Sequence, residues 1–152
     1  MNDVLVWGRP AVILLAEDND DDVELTKLGF ERANFAVHLH HVSNGEECMA
    51  FLRNEGRYAD APMPDIILLD LNMPRMDGME VMQEICKDER LKHLVVVVMT
   101  SSNASEDVLR SYRLRCSSYL VKPLNFDAFA EMIKSIGNYW LTLATLPPGN
   151  RV

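Results

Sequence analysis

The chain has 152 residues, is 48% hydrophobic, and carries a formal net charge of −8 at pH 7 with a pI near 4.9. That length suits one domain with its own core, needing no disulfide or metal staple to fold. The acidic balance excludes a nucleic-acid binder, which needs a basic face to neutralise phosphates. No apolar run approaches the ~20 residues of a membrane span. Cys48, Cys86 and Cys116 have no C-x-x-C spacing and read as free thiols of a reducing compartment. Residues 1–10 hold one basic residue, Arg9, beside Asp3 and Trp7, which is not a signal-peptide pattern, so a cytoplasmic location is expected.

After that N-terminal extension, the short run Ala11–Ala16 suits a strand buried on both faces of a parallel sheet. A first helix is expected from Asp20, with Asp20, Asp21 and Asp22 as cap and acidic first turn rather than as ligands. Its apolar positions are Val23, Leu25, Leu28 and Phe30. Val37–Val42 alternates apolar residues with histidines, as an edge strand does. His38 and His40 then face one way and His41 the other, which suits a strand surface better than a metal cluster. Asn44 begins a second helix with Cys48, Met49, Phe51 and Leu52 inward, and residues 56–64, with Gly56, Asp60, Pro62 and Pro64, form a surface loop.

Ile66–Leu69 is a third strand, followed by helical spacing at Met79, Val81, Met82 and Ile85. Leu94–Met99 is a fourth strand, and Ser105 is a cap for a fourth helix carrying Val108, Leu109 and Tyr112. Tyr119–Val121 is a short fifth strand. Asn125 caps a last helix in which Phe126, Phe129, Ile133, Ile136, Trp140 and Leu143 make a single apolar stripe. Pro147-Pro148-Gly149 stops it, leaving a tail over 147–152. The nine methionines read as core filler, with Met73 and Met76 packing a loop. Leu109, Tyr112 and Trp140 stand between two readings, core or an exposed dimer face.

Strands alternating with helices make right-handed βαβ units, and five of them make a doubly wound α/β domain over residues 11–146, with no room for a second domain. Sites in such sheets lie outside the carboxyl ends of the strands. The first strand ends in Glu17 and Asp18, the third in Asp70, the fourth in Thr100 and the fifth in Lys122. Carboxylates brought together repel, so one stays protonated or a cation joins them. Hard oxygen ligands with room left for water and phosphate oxygens suit Mg2+. An Asp carboxylate beside a cation, an ammonium and a hydroxyl is then equipped to attack phosphorus and form an acyl phosphate.

The stretches ILLAEDN (13–19), LLDLNMPRMDG (68–78), MTSS (99–102) and YLVKP (119–123) resemble the signatures of response-regulator receiver domains, over about Val12 to Leu143. The resemblance implies a flavodoxin-like fold with strand order 2-1-3-4-5. It implies that Asp70 accepts a phosphoryl group from a sensor histidine kinase, and that Asp18, Asp70 and the backbone carbonyl of Asn72 hold Mg2+, with Glu17 acting mostly through water. Lys122 would pair with the phosphate and precede Pro123 across a cis peptide bond. Thr100 would move to the phosphoryl group with Tyr119 following, and Asn72 and Ser102 would tune dephosphorylation. The chain departs from the pattern where a glycine is usual after the fourth helix, reading Leu114-Arg115-Cys116, and in a longer loop over 56–64. That loop and the long last helix most resemble receivers serving bacterial and cyanobacterial phytochrome kinases.

Signalling would then run through protein binding or further relay. A homodimer is expected through the fourth helix, last strand and last helix. Three other functions compete. A haloacid-dehalogenase-type aspartyl-phosphate hydrolase wants a second Asp where Asn72 stands. A flavodoxin-like carrier wants a phosphate loop that is not acidic. A degenerate receiver would lack one of the five rim residues.

Overall fold

The computed structural model describes residues 4–148 and forms five parallel strands in the order β2-β1-β3-β4-β5. The strands are β1 Ala11–Ala16, β2 Val37–Val42, β3 Ile66–Leu69, β4 Val95–Thr100 and β5 Ser118–Val121; the helices are α1 Asp20–Arg32, α2 Gly45–Leu52, α3 Gly78–Lys87, α4 Ser105–Arg113 and α5 Phe126–Ile136. β1, β3 and β4 are buried along their whole length, which is why their sequences are continuous apolar runs rather than alternating ones. Alternate residues serve opposite layers. Ile13, Leu15, Ile66 and Leu68 pack with Phe30, Phe129 and Ile133 under α1 and α5. Leu14, Ile67, Leu69 and Val96 pack with Phe51, Met82 and Ile85 under α2 and α3.

Side-chain caps set where the helices begin. Asn44 and Asn125 cap α2 and α5 as expected, accepting from the amides of Glu47 at 2.9 Å and Ala128 at 3.1 Å. For α1 the cap is Asn19, one residue before the expected Asp20, because its Oδ1 reaches the Asp22 amide at 3.1 Å. Asp77 and Glu80 close a reciprocal capping box on α3. Ser105 does not cap α4: it is the first helical residue, Ala104 holds the cap position without a side-chain bond, and the Ser102 hydroxyl donates instead to Asp107 at 2.5 Å.

The glycine-free end of α4 still makes the left-handed turn that glycine usually supplies. Arg115 takes φ 68°, its amide donates to the Tyr112 carbonyl, and the Cys116 amide donates to the Ser111 carbonyl. α1 and α2 close by the same pair of bonds around Asn34 and Asn54, a residue type that tolerates this conformation better than arginine does.

The last helix is not one continuous stripe. Beyond α5 the backbone widens into a π-helical turn over Gly137–Leu143, where Gly137 lies so close to the Phe35 ring that any Cβ would collide with it. The wider turn shifts the inward position, so Leu141 is buried while Trp140 is half-buried and Leu143 is exposed. The described part of the N-terminal extension packs on this end. Trp7 and Gly8, both at positive φ, form a two-residue turn between Val6 and Arg9, and the Trp7 indole donates to the Leu146 carbonyl at 2.8 Å. Met1–Asp3 and the tail from Gly149 onward lie outside the described residues. The loop over 56–64 is held from within, since Asn54 Nδ2 donates to the carbonyls of Tyr58 and Ala61, and Tyr58 donates to Glu47 at 2.6 Å.

Candidate functional site

Parallel pairing brings the four strand ends to one rim. The Asp70 amide donates to the Ala16 carbonyl at 3.0 Å, and the Lys122 amide donates to the Thr100 carbonyl at 2.7 Å, so each sheet hydrogen bond carries its side chain toward the next. Glu17, Asp70, Thr100 and Lys122 are all buried, whereas Asp18 and Asn72 are exposed. Gly78 makes this packing possible: a Cβ there would run into the Asp70 carbonyl oxygen and the Leu71 Cα. Gly45 allows the same close approach of α2 to Met76 in the loop after β3.

Lys122 is the hub. Its ammonium donates to Asp70 Oδ2 and to Asp22 Oδ2, each at 2.8 Å, and lies 2.5 Å from Glu17 Oε1. The Glu17 contact is a close ion pair between two buried side chains. Glu17 Oε2 accepts from the Asn19 amide at 3.1 Å, and the Glu17 carbonyl meets His41 Nε2 at 2.7 Å. Asp70 Oδ1 accepts from the Asn72 amide at 3.1 Å. Across the rim, the Tyr119 hydroxyl donates to the Ser102 carbonyl at 2.9 Å, and the Ser102 amide approaches Thr100 Oγ1 at 3.5 Å. The Lys122–Pro123 bond is trans, not the expected cis; trans is the isomer that X–Pro bonds prefer by about 0.5–1 kcal/mol.

The three ionisable groups respond differently to the same enclosure. Burial pushes Glu17 up from 4.5 to about 7, and the Asp70 charge adds to this, against the opposing pull of Lys122. Burial also acts on Asp70, but donation from Lys122 and the Asn72 amide outweighs it and holds Asp70 below the usual carboxylate range. Lys122 is buried too, yet its bonds to Asp22, Asp70 and Glu17 raise its affinity for the proton. The site therefore holds Asp70 ionised and Lys122 charged, with Glu17 titrating near neutrality.

This donor set fits a divalent cation. Glu17, Asp18 and Asp70 offer carboxylate oxygens all within 4.8 Å of one another, and they are the only such group of three among the described residues. Oxygen-only ligands suit a hard cation. Among the described residues the histidines of β2 join no metal group; the His40 ring packs at a tilt against Phe51, centroids 5.3 Å apart.

One contact was not expected from the sequence. Asp22, read as first-turn decoration, bonds Lys122 directly. The usable signal was its place in the first turn of α1, the helix that starts directly after the β1 end of the rim.

Comparison with known proteins agrees with this geometry. Residues 13–134 match the family model for the response regulator receiver domain. The chain is 40% identical over 138 residues to response regulator Rcp1 of Synechocystis sp., covering 91% of this chain and 94% of that protein. Among solved structures, the phosphorylated cyanobacterial phytochrome response regulator RcpA superposes with a TM-score of 0.87 at 40% identity, covering 91% of this chain and 99% of that one. The Mn2+-bound form of Rcp1 superposes at 0.86 with the same identity and coverage. Nothing in these likenesses supports the haloacid-dehalogenase alternative. The order of the strands, the acids and lysine on their shared rim, and these likenesses together make the chain a member of the response regulator receiver family, with phytochrome response regulators among the proteins it resembles.

Proposed function

We propose that Asp70 is the phosphoacceptor of a two-component signalling pathway. A sensor histidine kinase, a phytochrome in our reading, presents a phosphohistidine in the cytoplasm. An Asp70 carboxylate oxygen attacks phosphorus, the P–N bond breaks, and the imidazole leaves with the bonding electrons. The observation that carries this reading is the buried Asp70–Lys122 pair, which keeps the nucleophile ionised and sets a cation beside the place the phosphoryl group would take. Bound Mg2+, held by Glu17, Asp18, Asp70 and the backbone carbonyl of Asn72, would neutralise charge on the phosphoryl oxygens.

Lys122 then pairs with the phosphate, and Thr100 at the end of β4 moves to bond it. Displacing Thr100 disturbs the contact from Ser102 and hence the Tyr119–Ser102 bond, so Tyr119 is the switch between the site and the α4–β5–α5 face. Asn72 and Ser102 flank the approach of hydrolytic water and tune the phosphate lifetime. Output is protein binding, and Leu109, Tyr112 and Val121, exposed on α4 and β5, support a homodimer through that face. Phosphotransfer from several purified histidine kinases, compared with Asp70→Asn, tests the assignment. Fast transfer from a phytochrome kinase and none to Asp70→Asn is expected; equal labelling of the variant, or a clear preference for another kinase, overturns the corresponding part.

A further inference from the structure

We propose that Asp22 is a positioning residue that holds Lys122 in the unphosphorylated protein and competes with the incoming phosphoryl group for it, a reading that rests on phosphorylation at Asp70. Lys122 and Asp22 lie 100 positions apart in the chain, yet their side chains meet at 2.8 Å. The Asp22 backbone is fixed by the Asn19 cap on its amide, so the carboxylate is presented by a rigid first turn rather than by a mobile loop. An ammonium has three N–H groups, and three carboxylates already surround this one.

A phosphoryl group brings ≈ −1.5 to −2 of new charge and strong acceptors, so one of these carboxylates must give up the ammonium. Glu17 and Asp70 are enclosed, at 1% and 7% side-chain exposure, whereas Asp22 is at 21% and lies on the outer side. Beside it opens a cavity of about 260 Å3, lined by Asp22, Ser101, Lys122, Pro123 and Phe126 among others, into which its carboxylate can turn. Asp22 is the partner that can leave without breaking the core. It is also a negative charge standing where a phosphodonor approaches.

The test measures initial phosphorylation rates with Mg2+ and limiting acetyl phosphate, then with phosphoramidate, which carries less negative charge at neutral pH. Asp22→Asn is expected to raise the acetyl phosphate rate about two- to fivefold, the worth of a partly exposed ion pair, with a smaller gain for phosphoramidate. Asp22→Glu, which keeps the charge, is expected to return the rate toward wild type. A purely structural role would not depend on the charge at position 22, so an equal gain in Asp22→Glu overturns the proposal, as does an unchanged or lowered rate in Asp22→Asn. A wild type that takes no phosphoryl group overturns both this and the Asp70 assignment. A wild type that is phosphorylated beside an indifferent Asp22→Asn overturns this proposal alone.

Discussion

Lys122 and Asp70, from the ends of β5 and β3, meet at 2.8 Å with side chains only 6% and 7% exposed. A pair this enclosed is costly to break from one side, because the partner left behind stays buried and uncompensated. Lys122→Met keeps an apolar stem but strands Glu17 and Asp70. We expect a loss of roughly 3 kcal/mol in urea unfolding with chelator present, partly recovered by Mg2+ through mass action. An unchanged unfolding midpoint contradicts this.

Gly78 tests the same site from the backbone side. A Cβ at this position meets the Asp70 carbonyl and Leu71 Cα, neither of which can rotate away. Gly78→Ala should cost about 1–3 kcal/mol, as overpacking does, and should slow phosphorylation because relief displaces Asp70. A stable variant with a wild-type rate would show that α3 adjusts instead.

The pH dependence has a definite sign. The folded chain holds the Glu17 proton more tightly than the unfolded chain between 4.5 and about 7. Protons bound in excess by the folded state make stability fall as pH rises through that window. Metal-free wild type should therefore lose stability from its lower to its upper end relative to Glu17→Gln, which lacks the proton. Mg2+ should remove the slope, since it binds the ionised form. Parallel curves for wild type and Glu17→Gln in chelator would refute the assignment.

At the opposite end of the molecule, Trp7→Phe keeps the ring but deletes the 2.8 Å bond to the Leu146 carbonyl. The expected cost is about 1 kcal/mol, with faster amide exchange confined to the segment after α5 and no change in phosphorylation. Faster exchange throughout the sheet would mean that residues 4–10 are integral to the whole fold.

The sheet was legible because each central strand is buried on both faces and shows as a bare apolar run, from Ala11–Ala16 to Ile66–Leu69. The rim followed, since parallel strands place their carboxyl ends together. What the sequence hid depends on contacts between distant segments. The π-helical turn arises where Gly137 meets Phe35, and no periodicity within the last helix reports a ring arriving from another element. Asn19 displaced Asp20 as the cap because both residue types cap well and only backbone geometry chooses between them. Asp22 looked like a dipole-complementing acid until the fold delivered Lys122 to it. Arg115 holds a left-handed turn that its residue type does not advertise.

The most direct test is intact mass after incubation with Mg2+ and acetyl phosphate. The account predicts that wild type gains one phosphoryl group, that chelator prevents the gain, and that Asp70→Asn gains none. A wild type that stays unmodified with Mg2+ present, or an Asp70→Asn chain that becomes heavier by the same amount, would contradict it.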